Sequence, residues 1–261
     1  MKVVLFCGGM GTRLREHSDT IPKPLVNIGR RPIIWHIMRF YAHYGHKDFI
    51  LCLGYRGDLI RKYFLEYNSY LDRDFVLTDG GSQLEPKESD IADWRITFVD
   101  TGLHSNIGER LVAVRKYLQD EEVFLANYSD QVCDISFDAY VQEALSKQSV
   151  ASFLSVRPSQ SYHSVVSDEF GKVEKLVEVT DCDFWVNGGY FVLRQQIFDY
   201  IEPGEELVVE PFARLAQTGK LWTHRYDGFW KSMDTFKDKI TFDRMDGIGQ
   251  RPWCVWNGLN E

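Results

Sequence analysis

A chain of 261 residues with 44% apolar content is long enough for one full α/β domain with a sizeable core. Its formal charge of −8 comes without any Lys/Arg-rich run, which argues against nucleic acid as a partner, since that binding needs phosphate neutralisation over an extended basic surface. Cys7, Cys52, Cys133, Cys182 and Cys254 are odd in number, scattered and never in a C-x-x-C arrangement, so neither a disulfide framework nor a zinc site is indicated and a reducing cytoplasm fits.

The chain opens on an apolar β-type run, Val3-Val4-Leu5-Phe6, too brief for a signal peptide core. It ends in Gly8-Gly9-Met10-Gly11, where the missing side chains let backbone N–H groups press directly against a ligand. Phosphate is the ligand this loop suits. Arg13 adds a planar guanidinium fork, and Lys23, held between Pro22 and Pro24, adds a second fixed cation. A dinucleotide-binding turn would need a third glycine where Leu14 stands, and a Walker-type loop would need a Gly-Lys-Ser/Thr tripeptide that does not occur.

Downstream, the apolar residues of 32–41 share one helical face, and 48–53 is a continuous apolar run of the kind a buried parallel strand needs. Residues 57–64 predict the next helix. This β-α-β-α opening predicts a doubly wound, mostly parallel, Rossmann-like sheet with ligands at its carboxyl edge. The stretch 67–93 has no steady period and is read as an irregular excursion, a lid or a subunit contact. Strand character resumes at 95–99 and 122–126, the second run ending in Asn127-Tyr128-Ser129-Asp130-Gln131; an acidic residue just past a buried strand is well placed to hold a metal. A helix at 137–147 and a strand at 150–156 follow. A hairpin flanking Asp168-Glu169-Phe170-Gly171 predicts a small antiparallel layer, and later come a strand from Asn187, a helix at 210–217, a strand at 221–226 and a C-terminal helix. No stretch approaches membrane-spanning length.

The loop ending in Gly-x-Gly-Thr-Arg-Leu, with Pro22-Lys23-Pro24 beyond it, resembles the signature of the sugar-1-phosphate nucleotidyltransferases, or NDP-sugar pyrophosphorylases. Further blocks narrow the likeness to the glucose-1-phosphate cytidylyltransferases. They are Ile28-Gly29, Pro32 to Met38, Gly54-Tyr55-Arg56-Gly57, Val99-Asp100-Thr101-Gly102, Asn187-Gly188-Gly189 and Phe229 to Thr235. The resemblance implies one nucleotidyltransferase domain over 1–261, with a nucleotide-binding half at 1–135 and an acceptor-binding half at 136–261. It implies that Gly8, Gly9, Gly11, Thr12, Arg13, Lys23 and Arg110 bind the nucleotide triphosphate, that Asp130 and Asp234 hold Mg²⁺, and that Arg13, Lys23 and both aspartates carry catalysis. CTP, a phosphorylated small-molecule acceptor, a cytoplasmic setting and a homo-oligomer, with neither membrane nor nucleic acid as partner, complete the expectation.

The acceptor side departs from the resembled pattern. Glu178-Val179-Thr180 stands where Glu-Lys-Pro is usual, so a lysine expected on the sugar phosphate is missing; Ser129-Asp130-Gln131 replaces Gly-Asp-Gly, and Ser164 replaces a small glycine. The candidate acceptor residues are therefore Glu178, Asn187, Gln131, Ser164 and Val179, with Gln131 and Ser164 expected to intrude where a hexose ring sits. Two alternatives stay open at this point: a nucleotide-binding regulatory relative without acceptor chemistry, and the same reaction with UTP or dTTP.

Overall fold

The computed structural model describes residues 1–9, 21–67, 89–158 and 162–256, together with the backbone at 77–78 and 83–84. Its strands are β1 (Val3–Phe6), β2 (Asn27–Ile28), β3 (Arg31–Pro32), β4 (Asp48–Leu53), β5 (Leu77–Thr78), β6 (Gln83–Leu84), β7 (Arg95–Asp100), β8 (Val123–Asn127), β9 (Gln131–Cys133), β10 (Ala151–Val156), β11 (His163–Ser167), β12 (Val173–Glu178), β13 (Val186–Arg194), β14 (Leu221–Tyr226) and β15 (Trp230–Ser232). The α-helices among the described residues are α1 (Ile33–His43), α2 (Gly57–Leu65), α3 (Ile107–Val114), α4 (Phe137–Ser146), α5 (Glu210–Gln217) and α6 (Phe236–Gly247).

Seven strands form one sheet in the order β14-β10-β13-β8-β1-β4-β7. β1 lies parallel to β4 and β8, β4 to β7, and β10 to β14, while β13 runs antiparallel to both neighbours, β8 and β10. The central strands β1, β4 and β8 are apolar apart from Asp48 and Asn127 at strand ends, because helices cover both faces. Val3 and Leu5 join one buried cluster, with Ile33, Ile37 and Tyr41 of α1, and Val4 and Phe6 join a second, with Leu111 and Val114 of α3. The later half of the chain extends this same sheet through β10, β13 and β14, and the antiparallel additions are two-stranded pairs: the ribbon β11–β12 and the pair β9–β15. Most of the irregular stretch at 67–93 lies outside the described residues.

Cys7 and Cys52 sit at the sheet centre, 1% and 0% exposed, and burial pushes the Cys7 thiol up to about 12. Both act as small apolar side chains.

Parallel strands bring their carboxyl ends to one edge, so the segments after β1, β4, β7 and β8 meet there. Gly8 O accepts from Tyr55 N at 3.3 Å, Thr101 N donates to Leu53 O at 2.9 Å, and Ser129 Oγ donates to Phe6 O at 2.6 Å. That edge carries the candidate site.

Candidate active site

Lys23 stands in a single 3-10 turn, Lys23–Leu25, entered from Pro22 in extended conformation. Leu25 N donates to Pro22 O at 2.8 Å and Val26 N to Lys23 O at 3.0 Å, so the backbone under the lysine is fixed by two prolines and two hydrogen bonds. Its ammonium projects between two carboxylates, 2.6 Å from Asp130 Oδ2 and 2.6 Å from Asp234 Oδ1. The three positions lie 107 and 211 residues apart in sequence and converge on one point.

The convergence is built by β9 and β15. These strands pair antiparallel with Ser232 opposite Gln131, which places Asp130 and Asp234 at the same end of the pair. Met233 N donates to Asp130 O at 2.8 Å, and Ser232 Oγ donates to Asp234 Oδ2 at 2.7 Å. Thr235 then caps α6 in a box with Asp238, which also accepts from Lys231 Nζ at 3.1 Å. A Thr-x-x-Asp spacing ahead of a helix is legible in sequence as a cap; Ser232 as a donor to the aspartate carries no such signal.

Ser129, just before Asp130, adopts a left-handed conformation with φ 62°. This region is costly for a residue with a Cβ, and the turn keeps it because Ser129 Oγ also lies 2.6 Å from Tyr128 O and Ser129 N donates to Asn127 Oδ1 at 2.8 Å. The strand therefore ends abruptly and turns Asp130 toward Lys23.

Electrostatics follow from this burial. Asp130 keeps 20% of its side-chain surface exposed, and desolvation raises its pKa above the usual carboxylate value, with the Lys23 charge only partly offsetting that rise. Burial alone would lower Lys23, but the two aspartates outweigh it and hold the lysine above its ordinary value. The ammonium thus stays charged across the physiological range. Two carboxylates that converge on one cation form a hard-oxygen donor set of the type Mg²⁺ takes together with phosphate oxygens and water. Among the described residues no set of three or more His, Cys, Asp or Glu side chains suited to a metal forms. A divalent ion here would draw its other ligands from substrate and water.

Arg110, which the resemblance sets among the nucleotide-binding residues, lies beneath the ends of the central strands. It is 3% exposed, and its guanidinium donates to Thr101 Oγ1 at 2.7 Å, Gly102 O at 3.0 Å, Gly8 O at 3.1 Å and Leu53 O at 3.2 Å. One side chain thereby ties together the ends of β1, β4 and β7. Gly8 is glycine because a Cβ there would lie 2.0 Å from Arg110 Nη1.

Of the candidate acceptor residues, Asn187 Nδ2 donates to Tyr128 OH at 3.1 Å and Asn187 Oδ1 accepts from Gly189 N at 2.8 Å. Gln131 is 3% exposed and folds its amide against Gly189, whose φ is +73° and where a Cβ would fall 1.6 Å from Gln131 Nε2. Gln131 is therefore packed against the turn at Gly189. Ser164 lies opposite Val177 and Glu178 opposite His163 at the base of the ribbon, with Val179 following; no described contact joins these three to the Lys23 cluster. Gly11, Thr12 and Arg13 lie outside the described residues. A cavity of about 420 Å³ among Arg31, Trp35, His36, Asp246, Arg251 and Trp256 shares no residue with the cluster.

Lys23 in its 3-10 turn, clasped by Asp130 and Asp234, thus lies at the carboxyl edge of a doubly wound sheet, the edge at which such sheets bind ligands. The nucleotidyl transferase family model matches residues 2–221, and the chain belongs to that family as an enzyme that transfers nucleotidyl groups. It is 36% identical over 258 residues to glucose-1-phosphate cytidylyltransferase of Salmonella typhi and 34% identical to a probable glucose-1-phosphate cytidylyltransferase of Bacillus subtilis, in both cases over 98% of this chain and 100% of the relative. Among solved structures, HddC from Yersinia pseudotuberculosis matches with a TM-score of 0.67 at 20% identity, covering 94% of this chain and 99% of that one. A UDP-glucose pyrophosphorylase complexed with UDP-glucose matches with a TM-score of 0.67 at 14% identity over 95% and 98% of the two chains. No helix among the described residues is long and apolar enough to cross a membrane.

Proposed function

We propose that the enzyme joins the cytidylyl group of CTP to a phosphorylated small molecule of the sugar 1-phosphate class and releases pyrophosphate. The observation that carries this reading is Lys23 held 2.6 Å from both Asp130 and Asp234 at the carboxyl edge of the sheet. The likeness over the full length of two cytidylyltransferases supports CTP.

In the reaction an oxygen of the acceptor phosphate attacks the α-phosphorus of CTP, a new P–O bond forms, and the bond from that phosphorus to the bridging oxygen breaks. A phosphate monoester, with a second pKa near ~6, is already largely dianionic at neutral pH and needs no general base. The protein's work is positioning and charge neutralisation. Backbone donors of Gly8, Gly9, Gly11 and Thr12 receive the triphosphate, and Lys23 and Arg13 bring positive charge to it. Arg110 shapes the cradle from behind by fixing the carbonyls of Gly8, Leu53 and Gly102. Asp130 and Asp234 would hold a divalent cation, with Mg²⁺ fitting the donor set, and the ion would neutralise charge on the phosphates. Asn187, Gln131, Ser164, Glu178 and Val179 line the acceptor side.

The test is pyrophosphate release on mixing the protein with CTP, Mg²⁺ and a panel of sugar phosphates including glucose 1-phosphate. Release with at least one acceptor is expected. CTP binding with no release from any acceptor would overturn the reading, and UTP bound at least tenfold tighter than CTP would overturn the base assignment.

A further inference from the structure

The ammonium of Lys23 fills the space between the carboxylates of Asp130 and Asp234. Each bond is 2.6 Å, so the two oxygens lie no farther apart than twice that length. Mg²⁺ sits ~2.0–2.1 Å from carboxylate oxygens, so an ion bridging this pair needs the very volume that Lys23 Nζ occupies. Two cations placed there would also repel strongly, because the three side chains are only 15%, 20% and 33% exposed and solvent screens them weakly.

Resting on the reading that Asp130 and Asp234 form the metal seat, we propose that Lys23 is the resident counter-cation of that seat and excludes a divalent ion until nucleotide phosphates draw the ammonium away. The parts differ in freedom as this requires. Asp130 is tied through its carbonyl to Met233 N, and Asp234 Oδ2 is held by Ser232 Oγ. The Lys23 backbone is fixed as well, leaving a flexible four-carbon stem as the element able to swing. A triphosphate on the glycine loop offers the ammonium a replacement anion, so each nucleotide bound frees one seat. Nucleotide and metal must then favour each other's binding by the same factor.

Mn²⁺ is a suitable probe, followed by electron paramagnetic resonance on the full chain without nucleotide. Lys23→Met is expected to bind Mn²⁺ at least tenfold tighter than wild type, and adding Asp234→Asn to it should return binding to the weak wild-type level. Lys231→Met removes the same charge from the neighbouring strand and should tighten Mn²⁺ by less than threefold, which separates exclusion from a general field effect. Circular dichroism checks folding, and Lys23→Gln replaces Lys23→Met if the latter fails to fold. Equal Mn²⁺ affinity in wild type and both Lys23 variants would overturn the exclusion, as would equal tightening by Lys231→Met. If that happens while Asp130→Asn and Asp234→Asn still abolish turnover, the proposed reaction stands without the exclusion. If the aspartate variants turn over normally, the metal seat itself is wrong.

Discussion

Asp130, one of the two carboxylates proposed to hold the metal, is held in the fold at a cost. Its pKa is raised by burial, so the folded chain holds that proton more tightly than the unfolded chain does, and the stability contributed by this group falls as pH rises through the raised value. Removing the charge should not unfold the protein, because Lys23 keeps Asp234 at 2.6 Å. We expect Asp130→Asn and Asp234→Asn each to lower turnover by about a hundredfold or more, the scale seen when one group on a developing charge is lost. Melting temperatures should stay within a few degrees of wild type. Near-normal turnover at limiting Mg²⁺ for either variant would remove that carboxylate from the metal seat. Lys23 was legible in sequence because two prolines mark it, and Asp130 because it follows a buried strand. Their meeting was not legible, since the pairing of β9 with β15 rests on three residues a side and no periodicity announces it.

At the scale of elements, Arg110 acts as a clamp on three strand ends, and shortening it would remove charged hydrogen bonds to Thr101 Oγ1 and to the carbonyls of Gly102, Gly8 and Leu53, the last two of which keep a backbone donor. A hydrogen bond to a charged group contributes ~1.5–3 kcal/mol, so losing this set in Arg110→Met should destabilise by roughly 3 kcal/mol and weaken CTP binding through a loosened loop. Urea unfolding with calorimetric CTP titration measures both; unchanged stability would show that the clamp is dispensable. Sequence placed this arginine near the nucleotide without telling that its donors go to backbone, because carbonyl positions are not written in residue letters. The ribbon β11–β12 invites a different test. If the acceptor phosphate sits where a lysine in place of Val179 could reach it, Val179→Lys would add a charge-assisted hydrogen bond of ~1.5–3 kcal/mol, equivalent to ten- to a hundredfold in kcat/KM. Val179 follows a ribbon with no described contact to the Lys23 cluster, so we expect less than tenfold improvement with glucose 1-phosphate. A larger gain would place the acceptor phosphate at the ribbon base.

For the whole molecule, the apolar runs at 3–6, 48–53 and 122–126 made the centre of the sheet legible, since strands covered on both faces read as near-continuous apolar sequence. The outer half was less so: β13 is buried over Gly188 to Leu193 like its neighbours, and nothing in its residues tells that it runs against them. The far face of the sheet is closed by α1 and the chain's last described turn, where His36 packs edge-on to Trp35 and Trp253 and beside Trp256. Its Nε2 lies 3.2 Å from Ile28 O, and desolvation lowers its pKa to about 4 against the hydrogen bond to Ile28 and the charge of Asp246. His46, also lowered to about 4 by burial, acts in the same direction. A histidine whose folded pKa lies below its unfolded value of 6.5 must be charged on unfolding in acid, so the unfolded state binds the extra proton and stability falls as pH drops through 6.5 toward 4. Between pH 7 and 5 the linkage integral for His36 comes to about 2 kcal/mol. Wild-type unfolding free energy should therefore decline over that interval, and His36→Gln, which cannot titrate, should lose about that much less. The check is a set of urea midpoints at half-unit pH steps for the two proteins. An identical slope in both would mean that His36 takes up its proton in the folded state, and that the tryptophan cluster leaves it open to water.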